Sequence, residues 1–557
     1  MITIYCKNTN SYKAVPEGKT LEELLSEFEF EQPYPIVSAK VNNVSQGLKF
    51  RVYHNRDVEY LDIRDDSAMR VYVSSLCFTL NKAVKEISPD SHVIMEQPVS
   101  GGVFFRITGG NGDDNQTDTL CQRIKSKMQE IISSGIAFHL NEVHIDEAIS
   151  TFREKGMDDK VKLLETGNQV YMDYYTLGDT VDYYYGRLLP STSYLTVWGV
   201  EEYHDGFVLR IPDRYNPTAL APMIDQPKTF EMFSEARKWN DIMGLRTVGD
   251  VNDSCIKGNA SELIQVSEAL QEKKIVKIAE EINKRFHSDV PLRLVLVTGP
   301  SSSGKTTFCK RISVQLKACG LKPISMSTDD YFVNRVDTPL LPNGQYDFDN
   351  FDTVDHDALQ NDVVRMLRGE EVEVPEYNFV TGIREYNGKK MKLGPDSILF
   401  IEGIHALNPM LTNHIPAESK YKIFISTLTS ISLDNHNWIP PRDNRLLRRI
   451  VRDFNNGAFT ARESISHWGN VCDAEEKWIA PYQEQADVMF NSALLIELAV
   501  LRNHAEPILA TVPKNCPEYT EAHRLLKFIH YFHPVADKEI PPTSMLREFI
   551  GRSSFKY

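Results

Sequence analysis

Cysteine is sparse and unclustered. Eight residues (Cys6, Cys77, Cys121, Cys255, Cys309, Cys319, Cys472, Cys516) are scattered over 557 positions with no CxxC pair. That spacing fits no disulfide framework and predicts reduced, mostly packed thiols of a cytosolic protein. No apolar run reaches the length of a membrane span, which predicts no membrane partner. The N-terminus, MITIYCKNTNSY, has neither a basic start nor an apolar signal core, so the chain reads as cytoplasmic. Basic residues are in deficit, 62 Lys+Arg against 77 Asp+Glu for a net charge of −15. This argues against a surface that coats nucleic acid, although a local basic patch fits inside such a total. Repeats and low-complexity tracts are missing as well.

The bulk composition is ordinary: 41% hydrophobic and 25% charged residues suffice for several buried cores. The length predicts roughly three to four domains at about 150 residues each. The informative stretch is Leu294 to Thr307, LVLVTGPSSSGKTT. Four of its first five residues are Leu or Val, as in a strand buried on both faces, and GxxxxGK[ST] follows directly. Gly299 and Gly304 let the chain curl so that successive N–H groups converge, and the next helix adds its own free N–H groups and partial positive charge. Gly299, Pro300, Ser301, Ser302, Ser303, Gly304, Lys305, Thr306 and Thr307 are therefore expected to bind ATP. Lys305 would reach the outer phosphates and the Thr306 hydroxyl would bind Mg²⁺. The bland alternative is a Ser/Gly-rich loop that turns a corner. The following Phe308, Ile312, Val314 and Leu316 read as the apolar face of an amphipathic helix.

Further acidic and basic clusters follow. PISMSTDDYF reads as a short strand delivering Asp329 and Asp330 at its carboxyl end, the ligand-binding edge of a doubly wound sheet. One carboxylate there can accept a proton from an attacking hydroxyl or bind metal; solvated loop residues are the alternative. SILFIEG reads as a second buried strand, ending in Glu402, placed to hold Mg²⁺, directly or through water, opposite Thr306. RDNRLLRRIVRD sets Arg442, Arg445, Arg448, Arg449 and Arg452 within a few helical turns. A helix so dense in arginine suits a lid over transferring phosphate, or else an exposed, solubilising helix.

Together with GQYDFDNFDTVD and VPEYNFVTG, these motifs resemble the uridine/cytidine kinases and the wider uridine kinase and phosphoribulokinase family over about 220 residues. The resemblance implies Asp329 as general base on a ribose 5′-hydroxyl, with Lys305, Arg449 and Arg452 also catalytic. It implies Phe332, Phe348, Asp349, Tyr377 and Arg449 at the nucleoside, and Glu402 near the metal. Some positions depart from that pattern. Gly382 stands where those kinases carry a base-contacting histidine, Gly457, Ala458 and Phe459 replace an RGR lid motif, and His467 replaces a glutamine. An insertion, LTSISLDNHNWIPP, precedes the arginine helix, and its Trp438 or the following Arg442 is expected to fill the vacated space.

Ahead of this region, residues 1–62 read as strands around one short helix, entered through Thr20 with Glu23 at the capping-box spacing. Strands are expected at IVSAKVNN, QGLKFRVY and VEYLDI. The segment resembles the TGS domain, a β-grasp module at the front of threonyl-tRNA synthetases and some GTPases. Residues 63–225 look like the second additional, editing domain of those synthetases. That family carries an HxxxH pair on the first helix and a later Cys and His. Here the matching positions are Ser74 and Phe78, then Tyr184, Tyr185, Gly186, Arg187 and Leu188, none an N/S zinc ligand of the usual kind. His92, His139 and His144 lack ligand spacing, and the tyrosines at 171, 174, 175 and 183–185 read as packing or as a base-stacking platform.

The expected fold is therefore an α/β P-loop kinase with a doubly wound parallel sheet at 285–510, preceded by a β-grasp domain and an α+β editing-like domain. Residues 226–284 read as a helical linker and 511–557 as a C-terminal extension packed on the kinase. The expected activity is ATP- and Mg²⁺-dependent phosphoryl transfer to a nucleoside 5′-hydroxyl, with uridine or cytidine as first acceptor, by a homo-oligomer. The alternatives are a phosphoribulokinase-like enzyme for another small hydroxyl compound, and an RNA-associated regulatory NTPase whose front half binds RNA.

Overall fold

The run Leu294–Thr298 is buried throughout because each of its two faces meets a different core. Val295 and Val297 join the helices Lys305–Ala318 and Ala260–Phe286, whereas Leu294 and Leu296 pack with Leu399, Ile401 and the helix His356–Leu367. A continuous apolar run is what a two-sided parallel strand requires. In this computed structural model, which describes residues 1–29, 32–110 and 117–557, that strand is the centre of a five-stranded sheet. Its partners are Lys322–Ser327, Ser397–Glu402, Lys420–Ser426 and Val488–Asn491, all parallel. Counted by sequence, the order across the sheet is 2-3-1-4-5. The register aligns Val297 and Ser327 with Glu402, and Thr298 with Phe424, so the carboxyl ends of four strands share one edge.

In the helix after Leu294–Thr298, Phe308, Ile312 and Leu316 are buried, but Val314 is exposed. A four-residue step keeps a side chain on one helix face and a two-residue step turns it to the other. The expected linker is not a bare connection. Its helix Ala260–Phe286 packs on Lys305–Ala318, with Arg311 paired to Glu268 at 3.1 Å and to Glu272 at 2.6 Å, and its helix Pro227–Met243 packs on the edge strand Val488–Asn491.

Residues 2–62 form a separate five-stranded sheet of order 2-1-5-3-4, with its first and last strands parallel. Its helix Leu21–Leu25 begins with the Thr20–Glu23 capping box. The strand expected across QGLKFRVY stops at Gly47. Beyond it, the Leu48 and Phe50 carbonyls accept the free N–H groups of Glu22 and Leu21 at the helix start, which takes them out of any ladder. Residues 63–225 combine the helix Asp66–Ile87 with a four-stranded and a three-stranded antiparallel sheet. Most of the tyrosine group packs there: Tyr175, Tyr183 and Tyr184 are buried, while Tyr171 is 62% exposed. Phe78 packs against Phe138 and Tyr184; Ser74 and Tyr184–Arg187 line a cavity.

The insertion at 428–441 straps the two halves together. Lys160, 1% exposed, lies 3.1 Å from Asp182 and 2.9 Å from Asp434, both fully buried, and His436 reaches Asp182 at 2.8 Å. The Asn437 amide donates to the Tyr183 carbonyl at 2.9 Å. Trp438 packs on the core of residues 63–225 and Arg442 pairs with Glu476. The expectation that either fills an acceptor pocket is thus corrected, because the insertion carries interdomain charge pairs. The C-terminal extension also touches more than the expected kinase domain. The Thr520 hydroxyl donates to the Asn43 carbonyl at 2.8 Å, Glu521 pairs with Arg70 at 3.1 Å, and Arg524 pairs with Asp443 at 2.7 Å. Seven of the eight cysteines are buried, and Cys319 is exposed. Among the described residues no helix is long and apolar enough to cross a membrane.

Candidate active site

The turn between Thr298 and Lys305 is built for close approach. A Cβ on Gly299 would lie 2.3 Å from the Ile425 carbonyl oxygen, so no larger residue fits. Gly304 has φ 87°, in the left-handed region, and hands the chain to the helix Lys305–Ala318. The Lys305 ammonium donates to the Gly299 and Pro300 carbonyls at 2.9 and 3.1 Å, curled back over its own loop. Burial lowers its proton affinity, against the pull of Glu402 and Asp329. The Thr306 hydroxyl lies 3.2 and 3.3 Å from the two Glu402 oxygens. The next strand over ends at Ser327, whose hydroxyl accepts the Asp329 N–H at 3.3 Å. The Thr328 hydroxyl donates to the Asp329 carboxylate at 3.3 Å.

Three carboxyls here are held above their usual range, each mainly by burial. Asp329 is raised against the opposing charge of Lys305. Glu402 is pushed up to about 7 by burial, opposed by Lys305 and reinforced by Asp329. Asp349 is pushed up to about 6 by burial, with Arg449 pulling the other way. Lys305, Asp329, Asp349, Glu402 and Arg449, far apart in sequence, thus stand near enough to act on one another's charge. Arg449 also donates to the Ser301 hydroxyl at 3.1 Å and reaches Asp453 at 3.3 Å; Arg452 pairs with Asp453 at 3.0 Å. Phe332 meets Tyr377 edge to face at 5.5 Å, whereas Phe348 is 45% exposed and packs on Tyr346.

The arginine helix, Pro441–Asn455, departs from both expectations set for it. Arg445 and Arg448 are buried, tied to Glu475 and Glu497 respectively. Arg448 also donates to the Ser302 carbonyl at 3.3 Å and the Ser492 carbonyl at 3.0 Å. This face is a fixed wall behind the nucleotide cradle, neither lid nor solubilising surface, because the buried Glu497 and the partly buried Glu475 compensate the guanidinium charges. Arg449 and Arg452 alone turn toward the cleft side.

Four other residues escaped the sequence reading. Glu548 accepts the Thr307 N–H at 3.2 Å and its hydroxyl at 2.6 Å, and the Tyr557 hydroxyl lies 2.9 Å from that same oxygen. The third N–H of a helix has no partner within the helix, so the tail takes one of the cradle's free donors. Arg335 fills the space beside Gly382: a Cβ there would meet the Arg335 side chain at 2.7 Å, and Gly382 has φ 73°. A histidine would therefore be strained and obstructed. His405 is buried against Phe351 and the backbone of Asp349 and Asn350, and burial pushes its proton affinity down to about 4. None of these has a local signal: the tail contact spans 241 residues, Arg335 opens the one-turn helix Arg335–Asp337, and His405 sits in the turn after the strand Ser397–Glu402.

The chemistry of the cradle suits a nucleotide triphosphate: a turn that admits no Cβ at Gly299 leads into the free N-terminus of the helix Lys305–Ala318, beside the Lys305 ammonium. Thr306 and Glu402 supply the hard oxygen ligands suited to Mg²⁺. Among the described residues no group of three or more His, Cys, Asp or Glu is disposed to hold a metal ion, so an ion here would take its other ligands from phosphate and water.

Residues 294–497 match the model of the phosphoribulokinase / uridine kinase family. A uridine kinase of Mycoplasma genitalium is 33% identical over 197 residues, covering 35% of this chain and 83% of the relative. A uridine kinase of Mycoplasma pneumoniae is 28% identical over 226 residues, covering 38% and 96%. A threonine–tRNA ligase of Syntrophomonas wolfei is 26% identical over 196 residues, covering 35% of this chain and 30% of the ligase. With a parallel sheet, a glycine-bounded cradle and that coverage of a relative, the chain belongs to the phosphoribulokinase / uridine kinase family.

Proposed function

We propose that this chain is an ATP-dependent nucleoside kinase that transfers the γ-phosphate to the 5′-hydroxyl of a nucleoside, with uridine or cytidine as first acceptor. The observation that carries this reading is the convergence of Asp329, Lys305 and Glu402 at the sheet edge beside the cradle. Asp329 accepts the hydroxyl proton while the acceptor oxygen forms its bond to the γ-phosphorus and the bond to the β-phosphate oxygen breaks, releasing ADP. Burial, which raises its proton affinity, suits the carboxylate to that role. Residues 299–307 and Lys305 hold the phosphates, and Arg449 and Arg452 meet the charge that spreads over the transferring group. Thr306 and Glu402 would hold Mg²⁺, which would supply neutralisation of phosphate charge there. Phe332, Tyr377, Phe348 and Asp349 are assigned to the nucleoside, and the cytoplasm is the compartment such metabolite chemistry implies.

The test is turnover across a nucleoside panel in Lys305→Ala and Asp329→Asn. Both variants lose activity, and Asp329→Asn retains nucleotide affinity; loss of that affinity contradicts the base role. Arg335 in the Gly382 space favours a second reading, a different small hydroxyl acceptor. Silence with every nucleoside, alongside phosphorylation of a pentose phosphate, selects that reading. For the front half, the 2-1-5-3-4 sheet supports a TGS-like β-grasp module, and the ligase match supports an editing-like domain without zinc ligands.

A further inference from the structure

A cavity of about 370 Å³ opens where the β-grasp-like sheet, the helix Asp66–Ile87, the loop 183–187 and the C-terminal helix Tyr519–Ile529 meet. Its size is within the range of small-molecule sites. None of the cradle residues lines it. The wall is rich in cations, and most of them are already matched: Arg187 by Asp173 at 2.7 Å, Arg70 by Glu521 at 3.1 Å, and Arg524 by Asp443 and Glu521.

Among the described residues His523 and Lys527 have no such carboxylate partner. They are four residues apart on the C-terminal helix and both line the cavity. The carboxylate that acts on Lys527, Asp173, is committed to Arg187. Lys527 is exposed, whereas burial first, then Lys527 and Lys514, lowers the proton affinity of His523. Lys527 borders an open space with polar and aromatic margins, among them Ser74, Gln169 and Tyr171, and Glu142 is a further carboxylate in the lining.

We infer that this cavity is a binding site for a small organic phosphate, with Lys527 and His523 as its anion contacts and Tyr171 beside the organic part. The site is separate from the cradle, and its assignment is independent of which acceptor the kinase uses. It lies one side chain from the arginine helix, since Arg524 in its wall holds Asp443 in a two-bond grip.

Calorimetric titration of the full chain with UMP, ribose 5-phosphate and inorganic phosphate tests the proposal, using the wild type, Lys527→Ala, Lys527→Arg and Asp329→Asn. The expected result is a binding event with an organic phosphate that weakens roughly tenfold or more in Lys527→Ala, as loss of a charge-assisted contact predicts. Lys527→Arg retains it and Asp329→Asn leaves it unchanged. Stronger binding of UMP than of ribose 5-phosphate places the base against Tyr171; equal binding keeps the sugar phosphate alone as the recognised unit. The proposal is overturned if no Lys527-dependent binding occurs with either organic phosphate up to about 1 mM, the weak end of specific association, while Lys527→Ala melts like the wild type. It is also overturned if Lys527-dependent binding appears only with a short RNA oligonucleotide.

Discussion

Arg448→Met is the substitution whose effect the structure specifies most fully. Arg448 is 0% exposed and Glu497 1%. One guanidinium meets that carboxylate, the Ser492 hydroxyl and carbonyl, and the Ser302 carbonyl. Removing one partner of a buried pair strands the other charge, a loss of about 3–5 kcal/mol. Taking an unfolding entropy of about 2.1 cal/mol/K per residue for the whole chain, that loss lowers the melting temperature by roughly 3–4 °C. The partner substitution separates charge from geometry. In Arg448→Met/Glu497→Leu neither charge is left stranded, and most of the stability returns. The tie to Ser302, a non-glycine residue with φ 61° in the cradle, is still missing. The double variant therefore melts near the wild type but binds nucleotide more weakly, measured by thermal melting and nucleotide titration on the same samples. A single variant that loses less than about 1 kcal/mol, or a double variant no more stable than the single, refutes the reasoning.

Glu548→Gln removes a carboxylate from the Thr307 N–H and hydroxyl. Because a phosphate needs the same donors, nucleotide affinity rises by about 1 kcal/mol, roughly fivefold; unchanged or weaker binding shows that the tail is not a competitor. His405→Phe alters the response to acid. His405 titrates near 4 in the fold, below its ordinary value of 6.5, so the native state binds fewer protons between those values. Its stabilising contribution is complete above pH 6.5 and fades as the pH falls toward 4, by about 3 kcal/mol. Urea denaturation at stepped pH should show that part of the slope missing in the variant. Lys160→Met leaves Asp182 and Asp434 buried without their shared cation and lowers stability by about 3–5 kcal/mol, read as a lower melting temperature; a melt that does not move rules out the network as a structural tie.

The parallel sheet and the cradle were legible because their signals are local: five consecutive residues make a two-sided strand and the next nine make the phosphate loop. The position of Glu402 has a related local signal, since it ends a buried strand, whereas Asp329 follows the neighbouring strand by two residues, in the short helical turn Thr328–Tyr331. Arg448 was misassigned because arginine spacing alone cannot say where a carboxylate waits, and Glu497 is 49 positions away. Val314 looked apolar-periodic only because the pattern was read by residue type and not by angle. The roles of Glu548, Arg335 and the 428–441 insertion rest on contacts made over tens to hundreds of residues, which no window of sequence displays.

The Lys160 network also bears on how the chain is made. Asp182 and Asp434 stand 252 positions apart, from their residue numbers alone, so at about 5–20 residues per second the ribosome needs roughly 10–50 s to deliver the second after the first. During that interval the front half carries a lysine whose final set of neighbours has not been synthesised. Its last packing step must therefore await the kinase half, and a nascent chain halted between the two would leave Lys160 without Asp434.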